Sequence, residues 1–134
     1  ATGLINYRTT PGWDQKVLEL TNKSGVDHII EVGGSGTLAR SMNAVRIGGR
    51  ISLIGLLTGV QDLENPMPIL GKQIQVQGIF VGSREMFEAM NRAIALHHLR
   101  PVIDRVFSFD EAREALRYME SGAHFGKIVV RVTP

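Results

Sequence analysis

There is no cysteine in the 134 residues, so disulfides and thiolate metal sites are excluded and the redox compartment stays open. Aromatic residues are scarce, at 6%, and the net charge is only +2 with the basic residues scattered. A surface for nucleic acid needs more positive charge than this, and needs it clustered. No apolar run approaches the roughly 20 residues of a membrane-spanning helix, and no signal peptide is visible. No G-x-S-x-G elbow, P-loop or H-E-x-x-H pair occurs. An initiator methionine is absent too: Ala1-Thr2-Gly3 run straight into Leu4-Ile5-Asn6-Tyr7. This suggests an excerpt of a longer chain, with processing of a tag or leader as the alternative. What remains, 43% hydrophobic and 21% charged residues, is an ordinary globular composition. The length suits one domain with a real core, and the default is a soluble, cytoplasmic protein.

The chain is organised around Gly25 to Gly59. Val26 to Val32 reads as a mostly buried strand of a parallel sheet. Gly33 and Gly34 allow a tight turn, and Ser35 is placed to cap a helix on which Leu38, Met42 and Val45 form one buried stripe. Gly48-Gly49 should end that helix. Arg50 to Gly55 is a second apolar strand, followed by the glycine loop Gly55-Leu56-Leu57-Thr58-Gly59. Ligands of parallel sheets sit at the carboxyl ends of the strands, which places the candidate site at Val32-Gly33-Gly34 and Ile54-Gly55-Leu56.

Elsewhere, Leu4 to Tyr7 reads as a short strand. Thr10 and Pro11 suit the start of a helix with Trp13, Val17 and Leu20 on its apolar face, ended by Gly25. Gln61 to Gly71 reads as a loop around Asn65-Pro66-Met67-Pro68, with a helical turn over Ile69 to Lys72. Ile74 to Val81 is a third strand, interrupted by Gly78, a position that often marks close approach of a ligand or another backbone. Ser83 should cap a helix to about His98, lined by Met86, Phe87, Met90, Ile94 and His97. Pro101 to Phe109 is extended. Asp110 should cap a helix carrying Ala112, Ala115, Leu116 and Met119, ended by Gly122, and Lys127 to Val132 is a last strand. Strands alternating with helices predict an α/β fold with a mainly parallel sheet.

Gly34-Ser35-Gly36-Thr37-Leu38-Ala39 fits the G-x-G-x-x-[GA] pattern after a strand. The full dinucleotide fingerprint also wants an acid at the end of the next strand, and that strand ends Gly55-Leu56-Leu57-Thr58; Asp62 falls later. The pattern is therefore read more readily as a glycine turn elsewhere in a nucleotide fold than as the pyrophosphate loop. The four histidines are dispersed. His97 and His98 diverge by about 100° on a helix, His28 lies in a strand and His124 in a loop, so packed or exposed histidines are expected, not a metal site. Glu85, Glu88, Glu111 and Glu114 read as solvated helix faces and first-turn acids. Glu31 is the one carboxylate near a strand end, and a structural role suits it best. No proton donor, nucleophile or catalytic metal stands out.

Five stretches in order resemble the medium-chain dehydrogenase/reductase family, the zinc-type alcohol dehydrogenases and quinone reductases. They are Gly3 to Arg8, Gly25 to Gly34, Gly48 to Gly55, Val76 to Arg84 and Gly126 to Val130. The resemblance spans almost the whole chain. It implies the carboxyl-terminal part of such an enzyme over residues 1–134, a single partial dinucleotide-binding domain with a Rossmann-like sheet that lacks its first two strands. The glycine fingerprint, the NAD-or-NADP selector, the substrate domain and any zinc ligands would then lie upstream. It implies that Tyr7 reaches the adenosine phosphate of NADP, and that Val32, Gly33 and Gly34 line the adenosine-ribose side. Ile54, Gly55 and Leu56 would lie along the nicotinamide. Ile79, Phe80 and Val81 would meet the carboxamide, Gly78 would let the cofactor approach, and Lys127 would reach it from the last strand. The implied cofactor is NAD or NADP. The implied partners are the missing amino-terminal domain and a second copy, dimerising through Ile74 to Val81. An open strand edge would also invite pairing. The implied reaction is hydride transfer with an alcohol, aldehyde, ketone or quinone-like substrate, with no turnover from this piece by itself. The rival is a free-standing nucleotide-binding or interaction module.

Overall fold

A computed structural model describes residues 3–60 and 65–133. The chain divides into two compact units, Ala1–Val81 and Gly82–Pro134. In the first, the element order is helix α1 (Trp13–Leu20), strand β1 (Val26–Glu31), helix α2 (Leu38–Ala44), strand β2 (Val45–Leu53), helix α3 (Met67–Lys72) and strand β3 (Gln75–Gly78). The strands form a parallel sheet in the order β1-β2-β3. Ile29, Ile51 and Val76 share one register row across it. Ile51 is buried, and with Met42 of α2, Val45 and Ile74 it forms the core; Ile29, Leu38 and Ile69 pack against that cluster. The mainly parallel α/β architecture with flanking helices is thus present.

Several local expectations are corrected. Leu4 to Tyr7 forms no strand. An isolated strand leaves its backbone groups unpaired, and the segment instead curls on Asn6, whose carbonyl accepts from Thr10 N–H at 2.9 Å and whose side chain accepts from Arg8 N–H at 2.9 Å. Neither Thr10 nor Pro11 starts α1, because its N-cap is Gly12. The helix stops at Leu20, five residues before Gly25, and the chain turns through Asn22 and Lys23 at positive φ. Gly48-Gly49 does not end α2. Lys72 does, its ammonium donating to the carbonyls of Met42, Asn43 and Val45 at 3.1, 2.5 and 2.9 Å. The two glycines lie inside β2, where the ladder slips between Val26↔Val45 and His28↔Arg50.

β1 is not mostly buried. Ile30 and Val32 are exposed, and the buried side chain near its end is Glu31. Burial alternates along the strand: Ile29 and Glu31 lie on the face toward α2, whereas Ile30 and Val32 lie on the uncovered face. β3 is shorter than Ile74 to Val81, since Ile74 N–H is tied to Ile69 O at 3.0 Å in the turn that ends α3 and Val81 sits at φ +52, a conformation a β-branched residue rarely holds. The loop expected from Gln61 to Gly71 falls partly on 61–64, as does Asp62, outside the described residues; after it, Pro66 precedes α3 with no side-chain capping bond and Pro68 enters the first turn of the helix.

The second unit holds helix α4 (Arg84–Leu96), strand β4 (Ile103–Ser108), a 3₁₀ turn at Phe109–Glu111, helix α5 (Ala112–Glu120) and strand β5 (Lys127–Arg131). β4 and β5 pair in parallel. Ser83 caps α4 as expected, accepting from Met86 N–H at 3.2 Å. Asp110 caps nothing. Ser108 and Glu111 form a reciprocal capping box that opens the 3₁₀ turn. Met86, Phe87 and Met90 of α4 are exposed. Phe107 and Ala115 are buried, and Arg105 stacks 4.5 Å from the Tyr118 ring centre. No described helix is long and apolar enough to cross a membrane.

Candidate functional site

The carboxyl ends of β1 and β2 lie side by side because the strands are parallel neighbours, and the loops beyond them are sewn together. Ile54 N–H donates to Glu31 O at 2.8 Å, Leu57 N–H to Val32 O at 3.2 Å and Thr58 N–H to Gly33 O at 2.7 Å. The Thr58 hydroxyl donates to the same Gly33 carbonyl at 2.8 Å and accepts from Gly36 N–H at 2.9 Å. Glycine is required at this seam. A Cβ on Gly55 would lie 2.7 Å from Val32 O. Gly34, at φ +92, has Gly59 O 2.8 Å from where its Cβ would be.

Glu31 ends β1 and points to the covered face. Its carboxylate accepts from Gly33 N–H at 2.7 Å, Gly34 N–H at 3.2 Å, the Thr37 hydroxyl at 2.6 Å and the Ser41 hydroxyl. Burial works to raise its pKa, but the hydrogen bonds from Ser41, Thr37, Gly33 and Gly34 outweigh that and hold it below its ordinary value. A carboxylate so fully engaged is a poor proton carrier. Ser35 does not cap α2: its N–H donates to Gly59 O at 3.3 Å, while Thr37 and Leu38 N–H donate to Gly34 O at 3.0 and 2.8 Å. Each N–H from Gly33 to Leu38 therefore has an internal acceptor. A phosphate would have to displace one of them, so Gly34-Ser35-Gly36 works as a turn and not as a phosphate cradle.

Beside the seam is a groove of about 440 Å³, lined by Tyr7, Trp13, Ile30, Val32, Gly33 and Thr58 among others. Of the residues singled out from the sequence, Tyr7, Val32 and Gly33 meet in this groove. Gly34, Ile54, Gly55 and Leu56 lie along the seam, with Leu56 exposed. Ile79 N–H extends the β2–β3 pairing by donating to Leu53 O at 2.9 Å. Phe80 and Val81 beyond it are exposed, at 94% and 81%. A Cβ on Gly78 would meet nothing within 4 Å, so the glycine is not forced there by packing within the chain. Lys127 opens β5 in the second unit. Thr58, which ties one loop to the other, was not singled out. Its only sequence signal is its place between Leu57 and Gly59 in the glycine loop. Trp13, read as core, is also part of the groove wall.

Among the described residues no group of three or more His, Cys, Asp or Glu is gathered to hold a metal. The groove supplies an apolar wall with a phenol and threonine hydroxyls.

A family model described as zinc-binding dehydrogenase matches residues 1–130. A zinc-type alcohol dehydrogenase-like protein of Schizosaccharomyces pombe is 40% identical over 136 residues, covering 98% of this chain and 39% of that protein. The crystal structure of a candidate alcohol dehydrogenase from Sinorhizobium meliloti 1021 aligns with a TM-score of 0.81 at 41% identity, over 90% of this chain and 35% of that one. An NAD-dependent alcohol dehydrogenase structure aligns with a TM-score of 0.81 at 26% identity, over 92% and 36%. The chain thus spans well under half the length of the relatives it matches. It belongs to the zinc-binding dehydrogenase family of the medium-chain dehydrogenase/reductase class.

Proposed function

We propose that residues 1–134 are the cofactor-binding portion of an NAD(P)-dependent oxidoreductase that moves a hydride between nicotinamide and an alcohol, aldehyde, ketone or quinone-like substrate. The observation that carries this reading is the hydrogen-bonded seam between the loops after β1 and β2, with Val32 and Gly33 of one loop and Leu57 and Thr58 of the other lining one groove, at the strand ends where parallel sheets place their ligands. Tyr7, Val32, Gly33 and Gly34 serve the adenosine side. Ile54, Gly55 and Leu56 lie along the nicotinamide side. Gly78, Ile79, Phe80 and Val81 meet the carboxamide. These are mainly backbone and glycine contacts, which position a cofactor and transfer no proton. When bound, the dinucleotide supplies the hydride. The proton-handling groups, any zinc ligands and the substrate pocket belong to the remainder of the parent enzyme, and this polypeptide alone has no turnover. Two copies pair across the outer edge of β3.

Calorimetric titration with NADH and NADPH tests the reading, with Gly78→Val as the informative variant. Nothing within 4 Å of the Gly78 Cβ position resists the added side chain, so the fold is retained. Binding should weaken by roughly tenfold, the factor set by 1.4 kcal/mol of lost contact. Unchanged affinity in Gly78→Val removes the site assignment. Absence of binding by the unaltered chain favours the rival, an interaction module without a nucleotide.

A further inference from the structure

The buried carboxylate at the end of β1 is unused by the chemistry above, yet it is the most heavily hydrogen-bonded side chain of the candidate site. Its position follows from strand alternation: Glu31 shares a face with Ile29, the face that packs on the core. At the start of α2, Thr37 at the N-cap position and Ser41 in the helix stand four residues apart and both donate to it. From the turn, Gly33 and Gly34 donate their amides. A carboxylate that is only 4% exposed is costly to bury unless its oxygens are satisfied, and here both are.

We propose that Glu31 is the positioning residue of the cofactor cradle, an internal anion that fills the amide and hydroxyl nest after β1 and sets the backbone on which the dinucleotide rests. The inference depends on the cofactor reading and deepens it. The Gly33 carbonyl, on the peptide whose N–H Glu31 holds, accepts both from Thr58 N–H and from the Thr58 hydroxyl. The carboxylate therefore fixes the first loop, and the first loop fixes the second. Val32, Gly33 and Thr58, which wall the groove together, take their relative places from it. The site needs an acceptor at both oxygens, and charge-assisted bonds are about twice as strong as neutral ones. A neutral amide of the same shape presents a donor to Ser41 and a weaker acceptor to the two glycines. Glu31 acts through Gly33 and touches no reacting atom, so it is not a catalytic residue.

The test compares the unaltered chain with Glu31→Gln and Glu31→Asp, by the amide NMR resonances of Gly33 and Gly34 and by NADH and NADPH titration well below each variant's melting midpoint. Glu31→Gln should shift both glycine resonances and weaken binding by roughly tenfold while the protein is fully folded. Glu31→Asp keeps the charge and the short reach to the amide two residues on, so it should recover the Gly33 resonance and part of the affinity. A purely structural role predicts lower melting midpoints, with affinity unchanged in the folded fraction and no recovery specific to the carboxylate. If Glu31→Gln does not fold, Ser41→Ala, which removes one donor, should weaken binding several-fold. Equal dinucleotide affinity in the folded variants overturns the positioning role and leaves the cofactor reading standing. An unaltered chain that binds neither dinucleotide defeats that reading first, and this inference with it.

Discussion

Two buried carboxylates anchor the first unit, and they set its response to acid. Asp14 of α1 is 4% exposed and accepts from Arg40 at 2.8 Å and Asn43 at 2.6 Å, which ties α1 to α2. Burial works to raise its pKa, but the bonds from Asn43 and Arg40 outweigh it and the value is lowered from 3.8. Glu31 is lowered from 4.5. A carboxyl with a depressed folded-state pKa binds its proton more readily in the unfolded chain. Its stabilising contribution is full above the unfolded value and is lost as pH falls through the folded one. The urea midpoint should therefore be flat above about pH 6 and fall steadily below about pH 4.5. In Asp14→Asn/Glu31→Gln the midpoint should be lower at neutral pH and the acid slope shallower. An unchanged acid slope in that variant would contradict the assignment.

The elements of the first unit are held by contacts between residues far apart in sequence. The clearest is Lys72. It closes the carboxyl end of α2 from α3, and its partly buried amine has its pKa pulled down by burial. Lys72→Met keeps the length of the side chain but leaves the carbonyls of Met42, Asn43 and Val45 without this donor. Orphaned buried carbonyls cost about 1–3 kcal/mol, so the thermal midpoint of Lys72→Met should drop by several degrees. An unaltered midpoint would mean that solvent caps α2 equally well. The same element shows how far sequence reasoning reaches. α2 was legible from the spacing of Leu38 and Met42, and β2 from the apolar run after Gly49, but Val45, expected on the helix, is extended and opens β2. Their junction was not, because the residue that ends the helix lies 27 positions downstream of Val45. The expected strand at Leu4 to Tyr7 failed for a related reason. Strand propensity is local, but a strand exists only if a neighbour supplies its ladder.

At the scale of the molecule, the first unit carries two exposed features of the kind that associate. β1 forms one edge of the described sheet, with Ile30 and Val32 exposed. Beyond β3, Phe80 and Val81 project with almost no cover. Apolar side chains next to an open edge favour pairing with another chain. Sedimentation equilibrium should find reversible self-association in the micromolar range or tighter, as for an ordinary transient interface. Phe80→Asp should shift it toward monomer with the thermal midpoint unchanged. Behaviour as a monomer at every concentration would exclude β3 as a dimer surface.

Composition and pattern were sufficient for the α/β class and for the parallel strands ending in glycine, because periodicity and glycine turns are local properties of a chain; the family came from the resemblance of five stretches in order. The tertiary structure alone decided what those turns do. It placed the Thr58 hydroxyl on the Gly33 carbonyl and gathered four donors around Glu31. It thereby consumed the amides of the very turn whose sequence matched a phosphate-binding pattern. Hydrogen-bond acceptors can come from anywhere in the fold, so whether a glycine turn is open to a ligand or already filled is settled only when the distant segments are in place.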